Sequence, residues 1–241
     1  KQITFHTEVS INFDSLTNDV ENILAAYGEP LFDSSAIPSY YVSKAAKQLV
    51  TVVLTGDGAD ELFGGYRRHI PFFKHDFFQS SATLRWMATQ AKNLLPVSHE
   101  KKSIYNHLYR TVSFASKRGL DVFLSAGLDI MEDYTEVEVL EDFNKIVESP
   151  VSGLKKIMNL DFDIFLYNDV LVKMDIATMQ HSLEARSPFL CKEILEFAPG
   201  ISDAFKIKGK STKYLLRKMA EKHLPAEYIH QPKRGFEVPL K

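Results

Sequence analysis

The chain has 241 residues, 45% of them apolar, enough for a real core and for one large or two small domains. Its 29 Lys and Arg against 31 Asp and Glu leave a formal net charge of −2. That excludes a basic footprint for nucleic acid or a polybasic membrane patch. The single cysteine, Cys191, rules out an intrachain disulfide and favours a reducing, cytoplasmic setting, while no apolar run approaches the ~18 residues of a membrane span and the first residues carry no signal-peptide pattern.

Residues 2–11 alternate loosely and predict a strand. Asp14 is set to cap a helix whose apolar positions are Leu16, Val20, Ile23, Leu24 and Tyr27, with Gly28 closing it. Ser34-Ser35 opens a second helix carrying Ile37, Tyr41, Ala45 and Leu49. Residues 50–55 read as a strand apolar on both sides, the pattern of a parallel sheet buried under helices. A helix should follow the glycine-rich turn after it. From about Phe72 strand signals fade, and 80–95, 103–116, 132–148 and 154–183 all carry helical periodicity. Pro96 and Pro150 divide these segments. A break at Arg186-Ser187-Pro188-Phe189 precedes a short helix over Glu193–Phe197. Ser211 is placed to cap a last amphipathic helix through Lys222. The chain opens at Lys1 on a strand-like run and closes at Lys241 in mid-element, so the expectation is a piece of a longer protein.

The densest chemistry lies in Leu54-Thr55-Gly56-Asp57-Gly58-Ala59-Asp60-Glu61-Leu62-Phe63-Gly64-Gly65-Tyr66. A buried strand here delivers Asp57, Asp60 and Glu61 to its carboxyl end, where open α/β sheets bind ligands. Gly56 and Gly58 allow close approach of a ligand or backbone, and the following helix start offers N–H groups to an anion. A Rossmann fingerprint would need a glycine at Glu61, a Walker loop a Lys-Ser/Thr pair, and an EF-hand a different ligand spacing. Two readings remain. One is a pair of carboxylates holding Mg²⁺ against phosphate oxygens; the other is a solvated helix start whose acids offset the dipole.

Elsewhere the signals are weaker. Lys173 falls in a predicted helix with Asp169, Asp175 and Glu184, a setting in which a lysine is ordinarily on the surface. Glu184 and Arg186 beside Pro188 read as a buried structural pair. Lys233, between Pro232 and Gly235 and near Phe236, belongs to a held loop. Its ammonium is either surface charge or a stabiliser of phosphate or oxyanion charge.

Taken in order, four segments resemble one family. They are Glu29-Pro30…Asp33-Ser34-Ser35-Ala36-Ile37-Pro38, the acidic turn, Glu184-Ala185-Arg186-Ser187-Pro188-Phe189-Leu190, and Pro232-Lys233-Arg234-Gly235-Phe236. The chain is similar to the C-terminal synthetase domain of glutamine-dependent asparagine synthetases along essentially its whole length. The resemblance implies an α/β fold: a parallel-sheet, ATP-pyrophosphatase-type (adenine nucleotide alpha hydrolase-like) domain with a mostly helical second half. Residues 1–70 would be the α/β part and 71–241 the helical part. It also implies ATP and Mg²⁺ as cofactors. ATP would adenylate the side-chain carboxylate of aspartate with release of pyrophosphate, and ammonia would then displace AMP to give asparagine. An N-terminal glutaminase domain, absent from these residues, would supply the ammonia from glutamine.

By the same resemblance Thr55, Gly56 and Gly58 line the nucleotide. Asp60, with Glu61, is on the Mg²⁺ side, and Asp57 acts near the intermediate, as a base toward ammonium. Lys233 stabilises the α-phosphate and then the oxyanion. Lys173 and Glu184 lie near phosphates and substrate, and Tyr66 shapes the pocket. Three departures stand out. The Ser-Gly-Gly-x-Asp-Ser pyrophosphate motif is nowhere in the chain, Cys191 replaces an acid usual after Pro-Phe-Leu, and Gly28 replaces an acid often found before Glu-Pro. The missing motif predicts an incomplete domain, inactive alone, with an exposed sheet edge and a tendency to form a homodimer. Two other expectations share the motifs: a related amide-forming enzyme (β-lactam formation, peptide cyclisation or sugar-acid amidation), and a non-catalytic remnant that binds a nucleotide or partner.

Overall fold

The structure is a computed structural model that describes residues 6–11, 13–29, 33–73, 76, 80–95, 104–117, 119, 121–123 and 137–231. In chain order the elements begin α1 (Phe13–Ala25), α2 (Ala36–Lys47), β1 (Val52–Leu54), α3 (Ala59–Phe63) and α4 (His69–Phe72). Then come α5 (Ala82–Leu94), α6 (Ile104–Ser116), α7 (Val137–Glu148) and α8 (Gly153–Leu160). A π-helical stretch, Asp161–Leu171, leads into α9 (Val172–Met179), β2 (Glu184–Arg186), a 3₁₀ turn at Pro188–Leu190 and α10 (Lys192–Phe197). A second 3₁₀ turn (Ala198–Gly200), α11 (Asp203–Lys206), α12 (Tyr214–Ala220) and α13 (Ala226–Ile229) complete the described chain. Among the described residues the protein is rich in helix, with one small parallel sheet.

Two compact units divide the chain. The first comprises 1–58, 164–197 and 223–241. Its core forms because α1 and α2 each present an apolar stripe: Ile23, Tyr27, Ala36, Ile37 and Tyr41 are buried together, with Leu16, Tyr40 and Ile176 packed against them. Helix α1 frays into a turn that closes at Gly28 (φ +70°). Asp33 Oδ1 accepts the Ser35 N–H at 2.8 Å just before α2, whereas the Ser35 side chain makes no capping bond. Strand β1 pairs in parallel with β2 in the register Val52–Glu184, Val53–Ala185 and Leu54–Arg186. Flanking bonds from Glu184 N–H to Thr51 O (3.0 Å) and from Thr55 N–H to Arg186 O (2.9 Å) extend the ladder.

The second unit comprises 59–163 and 198–222. Helices α5 and α6 pack on each other, and α8 packs on α3, α4 and α7. The Phe72 ring, fully enclosed, meets Phe114 at 5.0 Å and Phe123 at 4.9 Å. Leu154, Ile157, Met158 and Leu160 bury one face of α8. Ser81 and Ser152 cap α5 and α8, accepting the N–H groups of Leu84 and Lys155.

Several expectations change. Residues 6–11 hold no strand and are exposed. The parallel strand at 52–54 is present, but it is not buried on both faces: Leu54 is 74% exposed and Val52 38%. Among the described residues β1 has β2 as its one strand partner. The helix predicted through 183 ends at Met179, because Ser182 (φ +54°) reverses the chain and sends Glu184–Arg186 into β2. Ser211 does not cap α12; it bridges Lys208 instead, and left-handed Lys213 (φ +50°) precedes the helix. Among the described residues no helix is long and apolar enough to cross a membrane.

Candidate active site

The first unit joins two motif segments that lie far apart in sequence. Strand β1 is followed by Thr55, whose Oγ1 donates to Asp57 Oδ2 at 2.7 Å. Ser187, just beyond β2, donates its hydroxyl to the Asp57 carbonyl oxygen at 2.5 Å. Gly58 (φ +83°) faces Leu190 so closely that a Cβ there would overlap the leucine side chain. Glycine is required at that position on both counts. The turn is thus fastened to the segment after β2 at both Asp57 and Gly58, and the partly exposed Asp57 carboxylate is oriented by its own neighbour.

Lys173 overturns the surface reading. It is 7% exposed on α9, and its ammonium meets Asp33 Oδ2 at 2.5 Å. Tyr27 donates its hydroxyl to the Lys173 carbonyl at 3.2 Å. Burial alone would raise the Asp33 carboxyl, but hydrogen bonds from Lys173 and Ser35 hold it below its ordinary range. Asp169 is pushed up by burial and by the Asp33 charge. Burial and the same two acids push the Tyr27 phenol up to about 12. Glu184 does not share a helix with Lys173. It lies on β2, and its carboxylate accepts from Arg186 Nε at 2.6 Å in the open, so the pair is exposed rather than buried. Arg186 holds the Glu184 carboxyl low.

The acids of α3 belong to the second unit. Asp60 meets the Lys213 ammonium at 3.0 Å. Glu61 is 3% exposed and accepts the Tyr66 hydroxyl at 2.5 Å. Burial pushes the Glu61 carboxyl up, and burial with the Glu61 charge pushes the Tyr66 phenol up. Behind them, the Arg68 guanidinium stacks 4.1 Å over the Tyr66 ring and His69 meets it edge-on at 5.3 Å. Both basic groups reach Asp161: Arg68 Nη2 at 2.9 Å and His69 Nε2 at 2.5 Å. Burial lowers the His69 imidazole despite that contact.

Mg²⁺ is satisfied by one or two carboxylates when phosphates and water complete its octahedron. Asp60, partly exposed and already facing a cation, fits that role. Glu61 does not: it is enclosed, its ionised form is disfavoured and its oxygen is committed to Tyr66. Among the described residues no three His, Cys, Asp or Glu side chains group closely enough to hold a metal by themselves. Lys233 lies outside the described residues. Sequence reasoning gave no role to Asp33 or Ser187, although both stood in quoted motif segments, and missed Lys213 and Asp161 entirely.

Comparison with known proteins adds a family. Residues 2–241 match the family described as Asparagine synthase. The chain is 33% identical to "Asparagine synthetase (glutamine-hydrolyzing) 1" of Bacillus subtilis (strain 168) over 244 residues, which is 96% of this chain and 37% of that protein. It is 30% identical to "Putative asparagine synthetase (glutamine-hydrolyzing)" of Mycobacterium bovis over 98% of this chain and 37% of that protein. A 53-residue stretch, 22% of this chain and 10% of the relative, reaches 51% identity with "Putative asparagine synthetase (glutamine-hydrolyzing) 2" of Methanocaldococcus jannaschii. The chain therefore spans 37% of the length of the first two relatives. No solved structure matches it.

Proposed function

The chain belongs to the asparagine synthase family, and we propose from that premise that it carries the amide-forming half of an asparagine synthetase. Aspartate's side-chain carboxylate attacks the α-phosphorus of ATP, the bond to the β-phosphate oxygen breaks, and pyrophosphate leaves. Ammonia then attacks the acyl carbon, loses a proton, and AMP departs to leave asparagine. The ammonia comes from glutamine, whose hydrolysis is named in the relatives, through a glutaminase domain outside these residues. The sheet is of the ATP-pyrophosphatase type, and the 241 residues are one part of the synthetase domain.

The roles are those that the family resemblance implies. Thr55, Gly56 and Gly58 present backbone and hydroxyl to the nucleotide. Asp57, held by Thr55 and Ser187, accepts the proton that the nitrogen sheds as ammonia adds to the acyl carbon. By the resemblance, Lys173, which is paired with Asp33, and Glu184, which is paired with Arg186, lie near phosphates and substrate, and Lys233 stabilises the phosphate and the tetrahedral oxyanion. Asp60 would hold Mg²⁺, which would supply charge neutralisation to the phosphates. Tyr66 keeps Glu61 and the start of α3 in place.

The observation that carries this reading is the convergence of the acidic turn with the Glu184–Leu190 segment through β1–β2 pairing and the Ser187–Asp57 bond. The test is aspartate-dependent release of AMP and pyrophosphate by the protein in its full natural length, with asparagine identified by chromatography. AMP release that ignores aspartate but follows another carboxylic acid would move the assignment to a related amide-forming enzyme; no AMP with any acid would remove it. The 241 residues alone, lacking Ser-Gly-Gly-x-Asp-Ser, should show no aspartate-dependent ATP–pyrophosphate exchange.

A further inference from the structure

Helix α5 of the second unit presents the wrong face to its neighbour. It packs on α6, yet none of its own residues is buried. Those that are partly covered, Arg85, Ala88, Thr89, Ala91 and Lys92, include no large apolar side chain. The large apolar side chains of α5 point outward instead. Leu84, Trp86, Met87 and Leu94 are all exposed, Trp86 by 64% and Leu94 by 84%. Thr83, Trp86, Met87, Gln90 and Leu94 recur at the spacing of one helix face, the pattern by which a helix meets another element. That stripe carries no charge, and both charged residues of the helix, Arg85 and Lys92, stand on the covered side.

We propose that this stripe joins two copies of the chain, antiparallel along α5 and related by a two-fold axis at Gln90. Three properties of the stripe fit a second copy. It is uncharged, so like meets like without repulsion, and it offers no charge for an unlike partner to answer. It is self-complementary: Trp86 and Leu94 lie four residues to either side of Gln90, so the axis sets Trp86 of each copy against Leu94 of the other. The Gln90 amide both donates and accepts, and it meets its own copy on the axis. The third property is area. The stripe can hide at most roughly 700 Å² per copy, against about 800 Å² per partner in a standard interface. The dimer is therefore reversible and weak, with Trp86 as its anchor. None of this rests on the reaction assigned above.

The test is sedimentation velocity of the protein in its full natural length over a wide concentration series, which should show a monomer–dimer equilibrium. Trp86→Ser should weaken dimerisation about tenfold or more, the scale of an interface anchor, without lowering the melting temperature of the monomer, because the side chain it removes is exposed. Lys92→Gln, on the covered side, should leave the equilibrium unchanged. Helices packed about 8–10 Å apart bring two Cα atoms on the axis within disulfide reach. Gln90→Cys in a Cys191→Ser background should therefore form, on mild oxidation, a disulfide between the two introduced thiols, identified as a linked peptide by mass spectrometry; Lys92→Cys should not. A protein that is monomeric at every concentration overturns the proposal. So does a dimer that Trp86→Ser leaves intact, or one in which Gln90→Cys forms no disulfide. A monomer whose melting temperature falls in Trp86→Ser has the stripe covered by its own polypeptide, and a monomer that binds neutral phospholipid vesicles through Trp86 has it covered by lipid; either result also overturns the dimer.

Discussion

Lys173 and Asp33 form a nearly enclosed ion pair at 2.5 Å across 140 residues of sequence. Removing the lysine strands a carboxylate that is 25% exposed. The cost should fall below the ~3–5 kcal/mol of a fully buried pair, at about 2–3 kcal/mol. Urea unfolding of Lys173→Met should therefore show a lower midpoint with an unchanged slope. An unaltered midpoint would mean that the pair adds nothing to stability.

The same pair has a pH signature. The Asp33 carboxyl is lower in the folded chain than its ordinary value of about 3.9. Above that value both states are ionised and the contribution is fully present. As the pH falls below about 4, the unfolded chain takes up the proton first, so stability drops until the folded carboxyl protonates as well. Asp33→Asn should flatten this acid limb relative to the parent. Superimposable acid limbs would show that other carboxylates govern it.

Much of this was legible in the sequence, and the limits have physical causes. Helix α1 and its closure at Gly28 follow from apolar spacing, and Val52-Val53-Leu54 declares a parallel strand through β-branched residues with no polar face. Its partner did not declare itself: Glu184-Ala185-Arg186 is polar, and only the reversal at Ser182 makes it a strand. Leu54 is 74% exposed although apolar: a partner strand pairs the backbone of β1 but covers neither of its faces. The glycine neighbours singled out Asp57, but not its ties to Thr55 and Ser187, of which the second comes from 130 residues away. Burial of Lys173 and the cation on Asp60 were not legible, because each depends on a partner distant in sequence and helical periodicity says nothing about which charge meets which.

Ser187→Ala removes the donor to the Asp57 carbonyl while leaving the β1–β2 ladder intact. A hydrogen bond of this kind contributes about 1 kcal/mol net, so the loss of stability should be small. The effect on function should be larger, because Asp57 is oriented from its backbone as well as through Thr55. In the full-length protein kcat should fall roughly tenfold or more with little change in KM for ATP, as expected of a loosened reacting group. A proportionate change in both constants would point to nucleotide binding instead.

Glu61 separates structure from chemistry. Burial raises its carboxyl above the ordinary value, so the folded chain holds a proton that the unfolded chain releases as the pH climbs past about 4.5, and stability declines across that window. Glu61→Gln keeps an acceptor for the Tyr66 hydroxyl without the charge. It should raise the melting temperature at pH 7, leave it unchanged near pH 4, and leave Mn²⁺ affinity untouched. Weaker Mn²⁺ binding in Glu61→Gln would make Glu61 a ligand after all.

Lys206 gives the cleanest alkaline prediction. It is 3% exposed on α11, and burial outweighs the nearby Asp203 charge to bring its amine down to about 8 from an ordinary 10.5. Between those two values the folded chain has released a proton that the unfolded chain still binds. Stability must therefore rise with pH through that window, and below pH 8 the full penalty of a buried ammonium is present. At about 1.4 kcal/mol per unit, the penalty is on the order of 3–4 kcal/mol. Lys206→Met keeps the buried stem and discards the charge. It should melt several degrees higher than the parent at pH 7, and the gap should close toward pH 10.5, read by calorimetry at matched ionic strength. A gap that is constant with pH would show that packing, rather than ionisation, sets the difference.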